Sequence, residues 1–381
     1  MGQRLCGEST MNFLLSIIPT LIVLGILIII HEFGHFIACR LCKVKVEKFS
    51  VGFGPEIIHW QGKETRYAIS LFPLGGFVKP AGESVGELQD SAPRPGDYLA
   101  APVLSRIIIV TAGVVMNYVL AFVIFVVIFM MGRPVPGTTI GGFVEGYPAA
   151  VSGLAEGDTI LQINEKPVAS WMDLTETLEA LPDGPIALIV ERKNELGQIA
   201  PVALSVVPQT EEVKDLFGEV HRVKRLGITP HPESRQFERY GFVKALGMSW
   251  QTEKYLTVMT HKAIFYLITG RLSVKSISGP IGIISMTGDA AKLGFPYLLQ
   301  LTATLSVSLA VINLLPIPAL DGGHLFFLLI EAIRRKQLSL VVQERATQVG
   351  FMLLMALMVF ILYNDLVNLD VFAKIKGFFS G

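Results

Sequence analysis

The chain of 381 residues is long enough for two ordinary domains, but 51% of it is hydrophobic and only 17% is charged. An average soluble domain carries about 25% charged residues, so this composition favours a membrane protein. The 32 basic and 32 acidic residues balance, so no nucleic acid partner is expected. With only three cysteines, the fold is not expected to depend on a disulfide framework.

Four uncharged stretches are long enough to cross a bilayer as helices, for which about 20 residues are needed. They are 13–30, 107–132, 294–320 and 346–364. We therefore predict a polytopic α-helical membrane protein with about four transmembrane helices. No cleavage site of small residues follows the first stretch, which favours a retained span over a signal peptide. Met1 and Met11 are both candidate starts.

The first stretch runs directly into His31-Glu32-Phe33-Gly34-His35, a His-Glu-x-x-His motif. Residues i and i+4 share one face of a helix, so both imidazoles can bind one metal ion. Glu32, turned by about 100° from His31, is expected to accept a proton from a metal-bound water. A polar cluster within the core is the alternative. Ionisable groups inside a membrane span are costly unless they are bound or paired, which favours a functional role.

The segment after this motif carries Cys39 and Cys42 as a single Cys-x-x-Cys pair, which we interpret as packing on the same helix. Residues 44–79 then alternate apolar and polar side chains between glycines and prolines. This pattern predicts short strands in a membrane-associated β-loop between the first and the second span. Because an unpaired backbone cannot face lipid, the loop must lie against protein or line a wet cavity.

Residues 133–210, after the second span, are predicted to form a compact β-rich domain. A glycine-rich turn at 153–158 leads into a strand at 160–164, and 172–181 is a short amphipathic helix. The arrangement resembles a PDZ domain, which binds an extended peptide by strand addition. Another small β-domain is the alternative interpretation.

Residues 211–293 are interpreted as a linker followed by an amphipathic helix at about 242–272. Aromatic and basic side chains alternate along that helix, a composition typical of a helix lying on a membrane surface.

The third uncharged stretch contains Asn313-Leu-Leu-Pro316-Ile-Pro318-Ala-Leu-Asp321, followed by two glycines and His324. Prolines and glycines break a helix, and membranes tolerate such breaks only beside protein or a cavity. Two imidazoles leave a catalytic zinc ion one protein ligand short. Asp321 is the predicted third ligand, and His324 is a rival that lies further along the chain.

The paired motifs resemble the signature of the site-2 protease family of intramembrane zinc metalloproteases. The similarity covers nearly the whole chain and is closest to the bacterial regulator of sigma-E protease group. Further matching segments are 49–55, 75–79, 278–282 and 364–365. The second span departs from the usual pattern, because Val114 stands where relatives commonly have proline after the glycine. We expect altered packing there with retained activity.

The resemblance implies an intramembrane zinc metalloendopeptidase that performs regulated intramembrane proteolysis. Its expected substrates are transmembrane helices of single-span proteins, such as anti-sigma factors or remnant signal peptides, within membrane lipid. The implied Zn²⁺ ligands are His31, His35 and Asp321, with Glu32 as the catalytic base. The implied substrate-binding residues are Asn313, Pro316 and Pro318. The loop at 44–79 is expected to pair with the substrate as an added strand.

The distribution of lysine and arginine predicts the orientation, since cytoplasmic connections carry the excess of basic residues. Basic residues cluster at 40–48 and 334–336, which places the active site toward the cytoplasm and the PDZ-like domain outside the cell. The resemblance implies the bacterial inner membrane. The predicted divisions are 1–132 with the first two spans, 133–210, 211–293, and 294–381 with the last two.

Two other classes of function remain from the sequence. A catalytically inactive PDZ scaffold is disfavoured by the intact Glu32 beside two metal-binding histidines. A metal transporter needs a polar path through the membrane, and the second and fourth spans are almost wholly apolar.

Overall fold

A computed structural model of the protein describes residues 2–83, 94–193, 197–215, 218–273 and 278–368. The candidate start Met1 and the last thirteen residues lie outside this part of the chain. The chain forms two compact units. The first comprises Met1–Ile128 and Leu246–Gly381, and the second is Phe129–Ala245.

Four helices are long and apolar enough to cross a membrane, over Leu15–Leu41, Val103–Met131, Phe295–Asn313 and Leu340–Val367. The prediction of four candidate spans is confirmed. They belong to α1 (Gly2–Leu41), α2 (Val103–Met131), α6 (Phe295–Asn313) and α8 (Leu340–Asn368). A helix bonds its backbone groups internally, as a hydrocarbon environment requires.

The third uncharged stretch does not form one continuous helix. Helix α6 ends at Asn313, the chain turns through 314–320, and α7 (Asp321–Arg334) then begins. Pro316 and Pro318 lack backbone N–H donors, and Ala319 has a φ of 87°, so the helix cannot continue through this loop. The break places Asp321 at the first turn of a new helix.

Two further helices, α4 (Phe242–Ile268) and α5 (Pro280–Leu293), precede α6. The start of α5 has no side-chain cap of its own at Gly279. The Asp365 carboxylate of α8 supplies it by accepting backbone N–H groups of Gly279, Ile281 and Gly282 at 2.9, 3.0 and 3.2 Å. These N–H groups otherwise lack partners at a helix start, so Asp365 joins the far end of α8 to α5.

The connection between the first two spans is an antiparallel hairpin of β1 (Val46–Gln61) and β2 (Arg66–Pro80). Its strands are longer than the short ones that the sequence suggested, because shifts of register absorb the glycines. Glu56 lies 2.7 Å from Lys48 Nζ and 2.6 Å from Arg66 Nη2. These partners lower the pKa of Glu56 to about 2.

The second unit is mainly β-structure. Its elements are β3 (Arg133–Pro136), β4 (Ile140–Phe143), β5 (Thr159–Ile163), β6 (Lys166–Pro167), α3 (Trp171–Ala180), β7 (Ile186–Lys193), β8 (Ile199–Val206), β9 (Gln209–Lys214), β10 (Val220–Arg225), β11 (Ile228–Pro230) and β12 (Arg235–Glu238). A four-stranded sheet has the order β6-β5-β7-β8, and three strand pairs join β4 to β11, β3 to β12 and β9 to β10.

The compact unit extends past residue 210, where the sequence suggested a linker. Strands β9 and β10 are mostly polar, so they lack the apolar alternation by which a half-buried strand is recognised. They pair through their backbones, supported by charged cross-strand neighbours such as Glu212 and Arg222. Leu226, which precedes β11, is buried in the core of the unit.

A helix capping box and a buried ion pair stabilise the second unit. Ser170 and Asp173 form a capping box at the start of α3, which satisfies N–H groups that the helix leaves free. Asp158 is buried and accepts hydrogen bonds from Arg192 at 2.8 and 2.7 Å. Burial alone would raise the pKa of Asp158. The hydrogen bonds from Arg192 and from the backbone N–H of Ala155 lower the pKa by more than burial raises it, so the net shift is downward.

Candidate metal centre

Two histidines in the second half of the first span, His31 and His35, lie close to Asp321, which is far from them in sequence. His31 Nε2 and His35 Nε2 are 3.2 Å apart, and Asp321 Oδ2 lies 3.0 Å from the first and 3.6 Å from the second. Tetrahedral zinc with bonds of 2.0–2.1 Å separates neighbouring ligand atoms by about 3.3 Å. The three measured separations bracket this value, so the residues form one face of a zinc-sized tetrahedron.

The Asp321 carboxylate supports the same assignment. Within the described residues its Oδ2 atom is buried and has no hydrogen-bond partner. A buried carboxylate oxygen without a partner is costly, and a cation held between this oxygen and the two imidazoles removes the cost. Two nitrogens and one carboxylate are the donors of many catalytic zinc sites, which keep the fourth position for water. The residues present therefore fit zinc.

Contacts behind the imidazoles select the nitrogen atoms that face the metal site. His35 Nδ1 lies 2.8 Å from the carbonyl oxygen of Ile109, so the Nδ1–H donates there and Nε2 is left free for the metal. His31 Nδ1 lies 3.2 Å from the Asn117 side-chain amide, whose Oδ1 atom is buried without a partner. The two amide orientations are nearly indistinguishable. With Oδ1 turned toward His31, it accepts the Nδ1–H, and both imidazoles present Nε2.

Glycines bring α1 and α2 into backbone contact at the metal centre. A Cβ atom on Gly113 would lie 2.4 Å from His35 Nε2 and 2.7 Å from His31 Cε1, and one on Gly34 would lie 2.4 Å from the carbonyl oxygen of Ala112. Any larger side chain at Gly113 would therefore occupy the space of the imidazoles. The sequence motif predicted two of the candidate ligands, but the glycine on the second span was not recognised as part of the site.

Glu32 lies beside the three candidate ligands and is not part of their cluster. Its Oε2 atom accepts the backbone N–H of Val78 on β2 at 3.0 Å. The hairpin thus holds the carboxylate, which leaves the second oxygen available to a proton donor. A contact through a backbone N–H has no signature in the sequence, so Val78 could not be found from the motif.

The end of α6 and the loop that follows it carry the three predicted substrate-binding residues. Asn313, Pro316 and Pro318 are half-buried or exposed. Cβ atoms on Gly322 and Gly323 would lie 2.1 and 2.4 Å from carbonyl oxygens of this loop, so the first turn of α7 packs directly against it. We define residues 314–320 as the catalytic loop.

His324 is separated from the cluster of possible metal ligands, which contains Asp321 instead. Its side chain is exposed and lines a cavity of about 430 Å³. Arg106 contributes to the same wall and forms a buried pair with Glu331, with Nη–Oε distances of 3.1 and 2.5 Å. The pair joins α2 to α7, the helix that begins at Asp321, and no motif in the sequence indicated it.

The second unit contains a separate groove of about 340 Å³. It lies between α3 and the chain entering β11, with apolar walls that include Leu174, Leu178 and Ile228 and basic side chains that include Lys224 and Arg225. Within the described residues, β4 is the strand that pairs with β11.

Comparison with known proteins agrees with this geometry. The model of peptidase family M50 matches residues 19–357. A relative from Agrobacterium fabrum named "Putative zinc metalloprotease" is 34% identical over 366 residues, which cover 93% of this chain and 96% of the relative. One of the same name from Clostridium acetobutylicum is 35% identical over 355 residues, covering 92% and 97%. "Metalloprotease MmpA" of Caulobacter vibrioides is 33% identical over 407 residues, covering 97% and 100%.

The match spans the His-Glu-x-x-His helix, the hairpin, the second unit and the catalytic loop together. The chain therefore belongs to peptidase family M50, the site-2 proteases, and is a zinc metalloprotease with four candidate membrane-spanning helices.

Proposed function

We propose that the protein is an intramembrane endopeptidase that cleaves transmembrane helices of single-span membrane proteins, with His31, His35 and Asp321 as the zinc ligands. The observation that carries the proposal is the triangle of candidate ligand atoms, with separations of 3.0 to 3.6 Å, in which both histidines belong to the span Leu15–Leu41 and Asp321 comes from α7. His31 lies ten residues before the end of that helix, which is about 15 Å along its axis. The peptide bond that reaches this site is therefore at membrane depth.

The chemistry divides between the metal and Glu32. Bound zinc supplies a Lewis acid that lowers the pKa of a coordinated water toward about 7. Glu32 accepts a proton from the attacking water and delivers it to the amine of the leaving peptide. Val78 N–H fixes one carboxylate oxygen of Glu32, so the other oxygen keeps a constant direction toward the reacting water.

The substrate must be locally unwound at the scissile bond. Carbonyl oxygens inside an intact helix are hydrogen-bonded and shielded by neighbouring turns. Asn313 at the end of α6, together with Pro316 and Pro318 of the catalytic loop, is proposed to bind the unwound backbone. The hairpin of β1 and β2 is proposed to pair with the substrate as an added strand, which presents an extended peptide.

The second unit is proposed to act as a PDZ-type peptide-binding domain. Its groove between α3 and β11 combines an apolar wall with two basic side chains, which suits an extended peptide. Proposed substrates of the enzyme are anti-sigma-factor-like proteins and remnant signal peptides.

The proposed location is the bacterial inner membrane, with the metal centre toward the cytoplasm and the second unit outside. The excess of basic residues beside 40–48 and 334–336 supports this orientation. A reporter fused after Pro182 should be extracytoplasmic, and one fused after Gln337 should be cytoplasmic. The reverse pattern would contradict the orientation.

Cleavage in a purified system tests the proposal directly. The protein is reconstituted in lipid vesicles with a single-span substrate that carries Gly or Pro near the middle of its span. We expect a cut within the span, and we expect Leu at those positions to slow it several-fold, because Gly costs about 1 kcal/mol and Pro about 3 kcal/mol in a helix. Glu32→Gln should retain zinc and lose at least about 100-fold in rate. Undiminished cleavage by Glu32→Gln would contradict the assigned base.

A further inference from the structure

Helix α8 has little contact with the rest of the first unit along most of its length. No side chain from 351 to 363 is buried, although this stretch covers more than three turns. Among the described residues, backbone of the first unit comes close to α8 at Gly350 and at Asp365. These contacts help to fix where the helix lies against the unit.

The contact at Gly350 is made to the catalytic loop. A Cβ atom on Gly350 would lie 1.9 Å from the carbonyl oxygen of Pro318 and 2.6 Å from its carbonyl carbon. Unstrained contacts to a carbonyl are longer than 3 Å, so an alanine there would force a displacement of about 1 Å. The opposing atoms belong to the backbone and cannot rotate away.

The loop has packed backbone on its other side as well. Gly322 and Gly323 of α7 approach loop carbonyls so closely that Cβ atoms would lie 2.1 and 2.4 Å from them. The catalytic loop is therefore held between α7 and Gly350. The loop connects Asn313 at the end of α6 to Asp321 at the start of α7, so a displacement of the loop changes the separation of these two residues from His31 and His35.

The second contact prevents α8 from moving away freely. Asp365 is buried and binds three N–H groups at the start of α5. Helix α5 in turn packs against α1, where a Cβ atom on Gly288 would lie 1.8 Å from Ser16 Oγ. Thus α8 is joined through α5 to the helix that carries the histidines.

We propose that Gly350 is a positioning residue, which sets the place of the catalytic loop, with Asp365 as the anchor that holds α8 against it. The inference rests on the proposed peptide hydrolysis at the His31–His35–Asp321 site. Gly350 contacts the loop and not the substrate. Its role is to keep Asn313 and Asp321 at the correct distance from His31 and His35 of α1.

The direct test is Gly350→Ala, compared with Gly247→Ala on the exposed side of α4. Both replace a helical glycine, but a Cβ atom on Gly247 would meet nothing within 4 Å. Cleavage of the single-span substrate, bound zinc and the thermal midpoint are measured for each variant in vesicles. We expect kcat of Gly350→Ala to fall about 10- to 100-fold, since a misplacement of 1 Å costs about that much. Its thermal midpoint and KM should stay close to those of the Gly247→Ala control.

A second pair of variants tests the anchor. Asp365→Asn keeps one acceptor oxygen and weakens the hold on α5, so kcat should fall about threefold to tenfold with zinc retained. In the double variant Gly350→Ala, Asp365→Asn, α8 can move back and relieve the contact, so part of the lost kcat should return. If Gly350→Ala does not accumulate as folded protein, Asp365→Asn alone carries the test.

The outcomes are separable from those of the proposed function. An active parent protein with equal kcat in Gly350→Ala and Gly247→Ala would overturn the positioning role only. Unchanged kcat in Asp365→Asn would overturn the anchor and with it the proposal. A fall in thermal midpoint that accounts for the whole loss of activity would assign Gly350 to stability instead. Absence of cleavage by the parent protein would overturn the proposed function and this inference together.

Discussion

Buried polar groups are used differently in the two units. In the second unit, Asp158 accepts bonds from Arg192 and a backbone N–H, and Ser170 is part of a complete capping box. Among the described residues, three buried side-chain atoms lack hydrogen-bond partners, and all three belong to the first unit. Two of them, on Asn117 and Asp321, are at the metal centre. The comparison teaches that satisfied polar groups stabilise the fold of the second unit, whereas the unpartnered oxygen of Asp321 marks a place in the first unit where a metal ion would complete the set of contacts.

The largest expected effect comes from removing the incomplete carboxylate at the metal centre. Asp321→Ala should lose most of the bound zinc, because two imidazoles alone make a weak site. His324→Ala is the matched control, since that side chain lines the neighbouring cavity, and it should keep about one zinc per chain. Elemental analysis of the purified variants measures both. Full zinc in Asp321→Ala with loss in His324→Ala would transfer the third ligand to His324.

The second largest effect is expected from a buried ion pair in the first unit, in which each charged group already has its partner. Arg106 and Glu331 are 4% and 5% exposed, and Arg106→Ala leaves the carboxylate buried without a partner. We expect a loss of about 3–5 kcal/mol in the free energy of unfolding, measured by denaturant titration in detergent.

The double variant Arg106→Met, Glu331→Leu removes both charges and should lose much less stability. An equal loss in both variants would mean that packing, and not the stranded charge, is responsible.

A smaller effect is expected from the residue that orients His31. Asn117→Ala removes the acceptor for the imidazole N–H and should lower the affinity for zinc about 10- to 100-fold. Competition with a chelator measures this affinity. Ser306→Ala is the control, because Ser306 Oγ donates to the backbone carbonyl of Asn117 at 2.8 Å and does not touch the amide. Equal affinity in the two variants would contradict the orienting role.

The smallest effect belongs to the second unit. Arg192→Ala should cost about 1 kcal/mol of stability at neutral pH, since Arg192 is partly exposed and the pair is solvent-screened. The pKa of Asp158 is lowered in the folded chain, so this contribution is present above about pH 4 and is lost as the pH falls.

Thermal midpoints of the parent and of Arg192→Ala, measured from pH 7 down to pH 3, should therefore converge. A constant difference across that range would contradict the assigned partner. Zinc content should be unaffected throughout, which would distinguish this pair from those at the metal centre.

The sequence predicted the parts of the molecule that depend on composition or on short spacing. Four candidate spans follow from the length of the uncharged stretches, and the candidate ligands His31 and His35 follow from helical spacing. Asp321 was chosen because an acid in a broken span is costly. The helix break itself follows from Pro316 and Pro318, which cannot donate backbone bonds.

Long-range backbone contacts could not be predicted. The bond from Val78 N–H to Glu32 and the approach of Gly350 to Pro318 depend on tertiary packing, and neither residue type indicates them. The polar strands β9 and β10 were assigned to a linker for a related reason, since their pairing is carried by backbone bonds and charged neighbours. The contact between Asn117 and His31 was not predicted, because the two residues are 86 positions apart in the sequence.

The close approach of α1 and α2 at Gly113 has a consequence for protein design. The imidazoles occupy the volume that a methyl group on Gly113 would fill, so the spacing of the two helix axes is itself one of the parameters of the metal site. Grafting the His-Glu-x-x-His segment onto a host bundle with ordinary interhelical spacing would transfer the ligands without their surroundings. A successful graft must first create a crossing of small residues, and only then place the histidines.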